Sequence, residues 1–218
     1  MELDVAEALR YLGAGRGDQD LRQKMAAVAR ELTGALRPRY IYRVFALKRE
    51  EERVLLQNTA VVLTGRTALG MLAQCDQAVL LACTLGAPFD AMLRTEQARD
   101  MGRAVMLDAC ASAWVESGCN AAEREIASRL PGWYLTDRFS PGYGDLPLSI
   151  QGAVCGALDA ERRLGLHVSE SFLMNPVKSV TAVIGLSRQM QRARIRGCGY
   201  CSMRESCQLR KGGKRCEI

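Results

Sequence analysis

The 218-residue chain is poor in the groups that several common chemistries need. It has one histidine, His167, with no acid or nucleophile patterned around it, so a Ser-His-Asp triad is not expected. No apolar run approaches the ~20 residues that span a bilayer. The opening Met1-Glu2-Leu3-Asp4 is acidic and lacks a basic-then-apolar leader, so no secretory signal is expected. Gly86 follows an apolar stretch, as in a phosphate loop, but no glycine-rich fingerprint surrounds it. Neither an internal repeat nor a flexible linker is visible before residue 188. Nine cysteines without an export signal point to a reducing compartment and away from a disulfide framework; the cytoplasm is the expected location.

Charge is unevenly placed. Residues 188–218 hold nine Lys or Arg against Glu205 and Glu217, a net of +7 where the whole chain is +6. An electrostatic partner is therefore to be sought at this tail. Residues 1–187 read as one domain, long enough for a sizeable core.

Within that domain, helix and strand signals alternate. Residues 5–12 and 18–36 read as helices, broken by Gly13 to Gly17, and Tyr40–Leu47 reads as a strand. A charged turn from Lys48 to Arg53 precedes a second strand in Val54–Leu63, then a short helix in Arg66–Cys75. Ala78–Cys83 is continuously apolar, as in a buried strand, and Pro88 suits a first helical turn. Asp90–Leu130 is the longest helical signal, stopped by Pro131-Gly132. Its apolar residues, from Met101 and Val105 to Trp114 and Ile126, cover an arc wide enough for a central core helix. Trp133–Thr136 reads as a strand, Gln151–Leu164 as a helix ended by Gly165, and Ser179–Leu186 as a strand. The fold class expected is α+β: helices packed on a mixed or antiparallel twisted sheet, one domain followed by a Cys-rich tail. Cys75, Cys83, Cys110, Cys119 and Cys155 lie in apolar surroundings and read as small core residues. Lys178 and Arg188 read as surface charges.

The segment Arg138 to Pro147, Arg-Phe-Ser-Pro-Gly-Tyr-Gly-Asp-Leu-Pro, carries the most chemistry. Pro141 fixes φ and Gly142 permits a turn other residues resist. Such a loop presents Arg138, Tyr143 and backbone N–H groups to a small ligand with a carboxylate, through a planar fork and a flat ring with a polar tip. The other reading is a surface turn whose arginine makes an ordinary ion pair. In the tail, Cys198-x2-Cys201-x5-Cys207-x8-Cys216 offers four thiolates, enough for tetrahedral zinc or an iron–sulfur cluster. The alternative is a basic tail with no metal. The spacing does not match the three-cysteine signature of radical enzymes that cleave S-adenosylmethionine.

The loop resembles the Arg-x-x-x-Gly-Tyr segment of the activation domain of cobalamin-dependent methionine synthase, with Arg138, Pro141, Gly142, Tyr143 and Pro147 in register. A second block, Ser169-Glu170-Ser171-Phe172-Leu173-Met174-Asn175-Pro176 followed by Ser179-Val180, is similar to that family's Thr-Glu-Ser-Phe-x-Met-x-Pro and Ser-Val. The resemblance covers most of residues 1–190 and is sharpest over 138–180. It implies a free-standing reactivation subunit that binds S-adenosylmethionine and serves a methionine synthase protein carrying cobalamin. Oxidised cobalamin would be restored by one electron, from a flavodoxin or a ferredoxin, and one methyl group. The protein would align donor methyl and cobalt without an acid or base of its own. It implies Arg138 on the ligand carboxylate, Tyr143 beside the adenosyl or sulfonium portion, backbone donors near Pro141 and Gly142, and Glu170 as a further contact. Glu116 would either approach the ligand or serve an ion pair. A tail cluster could deliver the electron, and a tail zinc could dock a partner.

Two departures bear on affinity. Leu146-Pro147-Leu148-Ser149 replaces the family's Cys-Pro-Asp-His, and Ala182, Val183 and Ile184 replace its aromatic residues after Ser-Val. Two other readings stand beside this one. The first is a nucleic-acid-binding protein with a basic zinc knuckle and Tyr200 as a stacking residue; it leaves both blocks unexplained. The second is a docking subunit of another corrinoid methyltransferase.

Overall fold

The structure is a computed structural model that describes residues 1–13 and 19–190. The four tail cysteines, Cys198, Cys201, Cys207 and Cys216, and Tyr200 lie outside the described residues. Helix α1 (Val5–Tyr11) starts at Asp4, whose carboxylate accepts from the Ala6 and Glu7 N–H groups. Helix α2 (Gln19–Ala35) leads to strands β1 (Arg39–Arg49), β2 (Arg53–Leu56) and β3 (Val62–Thr64). Helix α3 (Arg66–Leu72) and strand β4 (Gln77–Thr84) follow, then α4 (Ala87–Arg99), α5 (Met101–Arg129) and the short β5 (Tyr134–Leu135). The chain closes through α6 (Gln151–Leu158), α7 (Ala160–Leu164), β6 (His167–Val168), β7 (Met174–Asn175) and β8 (Ser179–Ser187).

Six strands form one antiparallel sheet in the order β3-β2-β1-β4-β8-β5, and β6 and β7 form a separate hairpin. The fold is α+β, as expected, and the sheet is antiparallel throughout. Among the described residues, no helix is long and apolar enough to cross a membrane.

The apolar run at 78–83 is explained by its position. β4 lies between β1 and β8 and is covered on both faces. Val79, Leu81 and Cys83 enter one core with α1, α2, α4 and α5, while Ala78, Leu80 and Ala82 enter another with α3, α6 and α7. Burying each leucine stabilises the fold by about 1.5–3 kcal/mol. α5 comes so close to β4 that a Cβ on Gly118 would lie 2.5 Å from Pro38 Cβ and 2.7 Å from Cys83 Sγ.

β1 divides its side chains between the two layers. Tyr40 and Tyr42 point towards α5 and donate to the Glu125 carboxylate at 2.6 and 3.1 Å. On the other face, beside Ile41 and Phe45, three arginines donate to carbonyls at helix C-termini. Arg39 reaches Leu164 of α7 at 2.9 Å, Arg43 reaches Ala157 of α6 at 2.9 Å, and Arg49 reaches Leu72 of α3 at 3.2 Å. Those carbonyls have no partner within their own helices, and a cation suits the negative end of the helix dipole.

Several sequence expectations are corrected. Val54–Leu63 is two strands, not one, because Asn58 turns the chain at φ 61°, a conformation Asn tolerates. The helical signal over Asp90–Leu130 is two helices. Asp100 is extended (φ −151°, ψ 101°), and its carboxylate accepts from the Arg103 N–H, a start signal inside an otherwise helical pattern. Met101 and Val105, assigned to the core, are 60 % and 51 % exposed, because α5 begins by turning Ala104 and Leu107 inward instead. Gln151–Leu164 breaks at Asp159, which is left-handed at φ 54°. Lys178 is not a surface charge: its ammonium is largely covered and donates to Asp108 and Ser112 of α5 at 2.9 and 2.8 Å. Arg188 is exposed, as expected, and stacks on the Trp133 ring, 3.8 Å from its centroid. All five described cysteines are free and buried, and burial pushes the Cys75 and Cys110 thiols up to about 11.

Gly118→Ala is expected to lower unfolding free energy by about 1–3 kcal/mol, because the new methyl overpacks the α5–β4 contact. Urea denaturation checks this, and an unchanged midpoint would mean that α5 does not approach β4 this closely.

Candidate functional site

The loop at 138–147 leaves the edge of the sheet. Phe139 makes an isolated bridge with Val183 of β8, its N–H donating to the Val183 carbonyl at 3.0 Å and its carbonyl accepting at 2.7 Å. Strand-like alternation then sends neighbouring side chains to opposite layers. Phe139 enters the α3/α6 core, and Arg138 goes to α5.

Arg138 is held by three acceptors on successive turns of that helix. Nη1 donates to Asn120 Oδ1 at 2.8 Å and Glu123 Oε1 at 2.5 Å, and Nη2 donates to Glu116 Oε2 at 2.5 Å. The side chain is 15 % exposed. Burial would lower the pKa of the guanidinium, but the Glu116 and Glu123 carboxylates more than offset it, and the pKa is raised. The cluster carries two negative charges on one positive. Of five guanidinium N–H donors, three are used by α5 and two remain.

Beyond Pro141, which is buried, the loop closes on itself. Tyr143 N–H donates to Ser140 O at 3.0 Å, Gly142 N–H to Leu146 O at 2.9 Å, and Leu146 N–H to Tyr143 O at 3.1 Å. The Gly142 and Tyr143 amides expected to face a ligand are thus engaged within the turn. Gly142 supplies shape instead, at φ 85°. Tyr143 is 36 % exposed. Leu146 is buried in the core, and Asp145 reaches across to α3.

The α3 contact was not legible beforehand. Gly65, at the N-cap of α3, has no side chain to satisfy the first N–H groups. Asp145 does so from the loop, accepting from Arg66 N–H at 2.6 Å and Thr67 N–H at 3.0 Å. The Thr67 hydroxyl together with these N–H groups holds the Asp145 carboxyl down at about 2.

The second block lies beside the first through β8. Ser169–Leu173 forms an exposed turn with Glu170 in it, closed by Ser169 N–H to Leu173 O at 2.9 Å. Asn175–Pro176 is cis. Val177 N–H donates to Asp90 Oδ2 at 3.2 Å. Gln151, buried at the start of α6, donates to Thr181 Oγ1 of β8 at 2.6 Å and faces Met174 Sδ at 3.2 Å. Ala182, Val183 and Ile184 are fully buried in β8, so aromatic side chains there would need a different core. The structure therefore places Pro141, Gly142 and Tyr143 in one turn and ties Arg138 to α5. Glu170 sits in a separate turn. A cleft of about 720 Å³ lies elsewhere, lined by Leu3, Val5, Arg30, Arg37 and Trp114 among others.

No family model matches this chain, and no curated protein matches it. The crystal structure of the MetH reactivation domain bound to AdoHcy matches with a TM-score of 0.62 and 17% sequence identity. The match covers 94% of this chain and 76% of that one. At this identity the likeness shows a related fold.

The Asp145 cap gives a pH dependence of defined sign. Its carboxyl ionises near 2 when folded, against about 3.9 unfolded, so its stabilisation is complete above about 4 and is lost as pH falls through about 2. The Asp145 carboxyl resonance should titrate near 2 in NMR, with the Arg66 and Thr67 amides shifting alongside. A midpoint near 4 would show that the cap is not formed.

Proposed function

We propose that this chain is a reactivation subunit for a cobalamin-dependent methionine synthase protein, and that it binds S-adenosylmethionine at the Arg138–Pro147 loop. The observation that carries the reading is the fold, shared over 94% of the chain with a reactivation domain bound to AdoHcy. The two sequence blocks that support the same reading are both tied to β8, the first by the Phe139–Val183 bridge and the second because Ser179 and Val180 begin the strand. Bound S-adenosylmethionine would supply the methyl group from its sulfonium, leaving as S-adenosylhomocysteine, and a flavodoxin or ferredoxin would supply the one electron, for cobalamin held by the partner protein.

The residues present fit such a ligand. Arg138 keeps two N–H donors for a carboxylate, and its orientation is fixed by α5 before any ligand arrives. Glu116 and Glu123 leave the cluster one positive charge short, and the ammonium and sulfonium of S-adenosylmethionine bring positive charge. Pro141 and Gly142 set the turn, Tyr143 offers a flat, half-exposed ring for the adenosyl or sulfonium portion, and Glu170 lies in the neighbouring block. No group of the chain is assigned to proton transfer; its work is to hold the methyl donor in line.

Calorimetric titration of S-adenosylmethionine is expected to show saturable binding below millimolar concentration. Arg138→Ala should weaken it by about 10- to 100-fold, the range for a charge-assisted hydrogen bond. Because that variant also leaves Glu116 beside Glu123 uncompensated, circular dichroism must show it folded. No binding by the unaltered protein at millimolar ligand would overturn the reading.

A further inference from the structure

Neither the fold match nor the sequence resemblance gives Asp145 a part, yet loop and helix interlock around it. A Cβ on Gly65 would lie 2.7 Å from the Asp145 carbonyl oxygen and 2.8 Å from its Cγ. A Cβ on Gly144 would lie 2.7 Å from Thr67 Oγ1. Glycine is therefore needed on both sides of the contact, at φ 93° and 59°, so that the Asp145 carboxylate can reach two N–H groups of α3. The partners are 79 and 78 residues apart in sequence, so the contact fixes tertiary structure and not only a local turn.

Gly142, Tyr143 and Gly144 are exposed and span from buried Pro141 to buried Leu146. Three backbone hydrogen bonds set the internal shape of this span, and those bonds would survive a rigid tilt of the whole turn. The hydrogen bonds from α3 to Asp145 oppose such a tilt. We infer that Asp145 is a positioning residue: by capping α3 from within the loop, it holds the Gly142–Tyr143 turn in the orientation that receives the ligand. This rests on the reading of that loop as the S-adenosylmethionine site. A carboxylate is the strong choice, because helix N–H groups and the positive end of the dipole both favour an anion. Asn keeps the acceptor oxygen without the charge, whereas Ala removes the cap.

The test is titration of S-adenosylmethionine into the full chain and into Asp145→Asn and Asp145→Ala, with hydrogen exchange read at Arg66, Thr67 and 142–146. Asp145→Ala should bind about tenfold more weakly, the scale on which loss of a cap shifts an equilibrium, and should exchange faster at those amides. Asp145→Asn, which keeps an acceptor oxygen for the α3 N–H groups, should recover most of the affinity, and exchange in the β4 and α5 amides should stay unchanged in both variants, which general destabilisation would not allow. If Asp145→Ala fails to fold, Gly144→Ala carries the test, since its methyl would lie 2.7 Å from Thr67 Oγ1, part the turn from α3 and weaken binding although the Asp145 carboxylate is retained in the chain. Faster exchange with unchanged affinity would overturn the positioning role and leave the ligand reading intact. Absence of binding by the unaltered chain would overturn both.

Discussion

Strand β4 has no face turned to water, and the layered arrangement follows from that constraint. Its odd-numbered residues require cover from one side and its even-numbered residues from the other, so helices must pack on both faces of an antiparallel sheet. α5 provides the first cover, and its close approach at Gly118 sets how near that layer can lie. α3, α6 and α7 provide the second. Once both layers are in place, the edge of the sheet beyond β8 is where the chain is free to carry a loop. The candidate site lies there because the interior is already committed to packing.

Arg138 connects that edge to the first layer. Its guanidinium holds the loop against α5, and under the proposed function its two remaining N–H groups would meet the ligand carboxylate. Both roles depend on the same geometry. A planar fork can bind acceptors on successive helical turns and still keep N–H groups in reserve, which an ammonium on a flexible stem would do less well. Of the two readings of this arginine made from sequence, the structure shows the ion pair; ligand contact belongs to the proposed function.

Much of the frame was legible in the sequence. β4 announced itself by an unbroken apolar run, α5 by its length, and Gly165 marked the end of α7. What failed was local punctuation inside strong patterns. Asp100 and Asp159 are ordinary polar residues within helical stretches, and only the backbone shows that one caps a helix and the other adopts a left-handed turn. Exposure at Met101 and Val105 depends on what lies beside the first turn of α5, which periodicity does not report. In the site, the loop was visible because Pro and Gly disrupt regular structure, and Arg138 because its residue type is informative. Of its acceptors, Glu116 was read as an ion-pair candidate and pairs with Arg138, whereas Asn120 and Glu123 look like any helix surface residues until the sheet edge is brought against them. The structure shows that Gly65 leaves α3 without a cap of its own, and no local pattern could name Asp145 as the supplier.

The arginines of β1 bear on strand register. Slipping β1 by two residues against β4 would preserve the alternation of buried and exposed side chains, so the hydrophobic pattern alone penalises that error weakly. Arg39, Arg43 and Arg49 meet the ends of three different helices at unequal intervals along the strand. A two-residue slip in either direction would take the Arg43 and Arg49 guanidinium groups away from the ends of α6 and α3 together. Charge spacing thus proofreads an alignment that hydrophobicity leaves ambiguous.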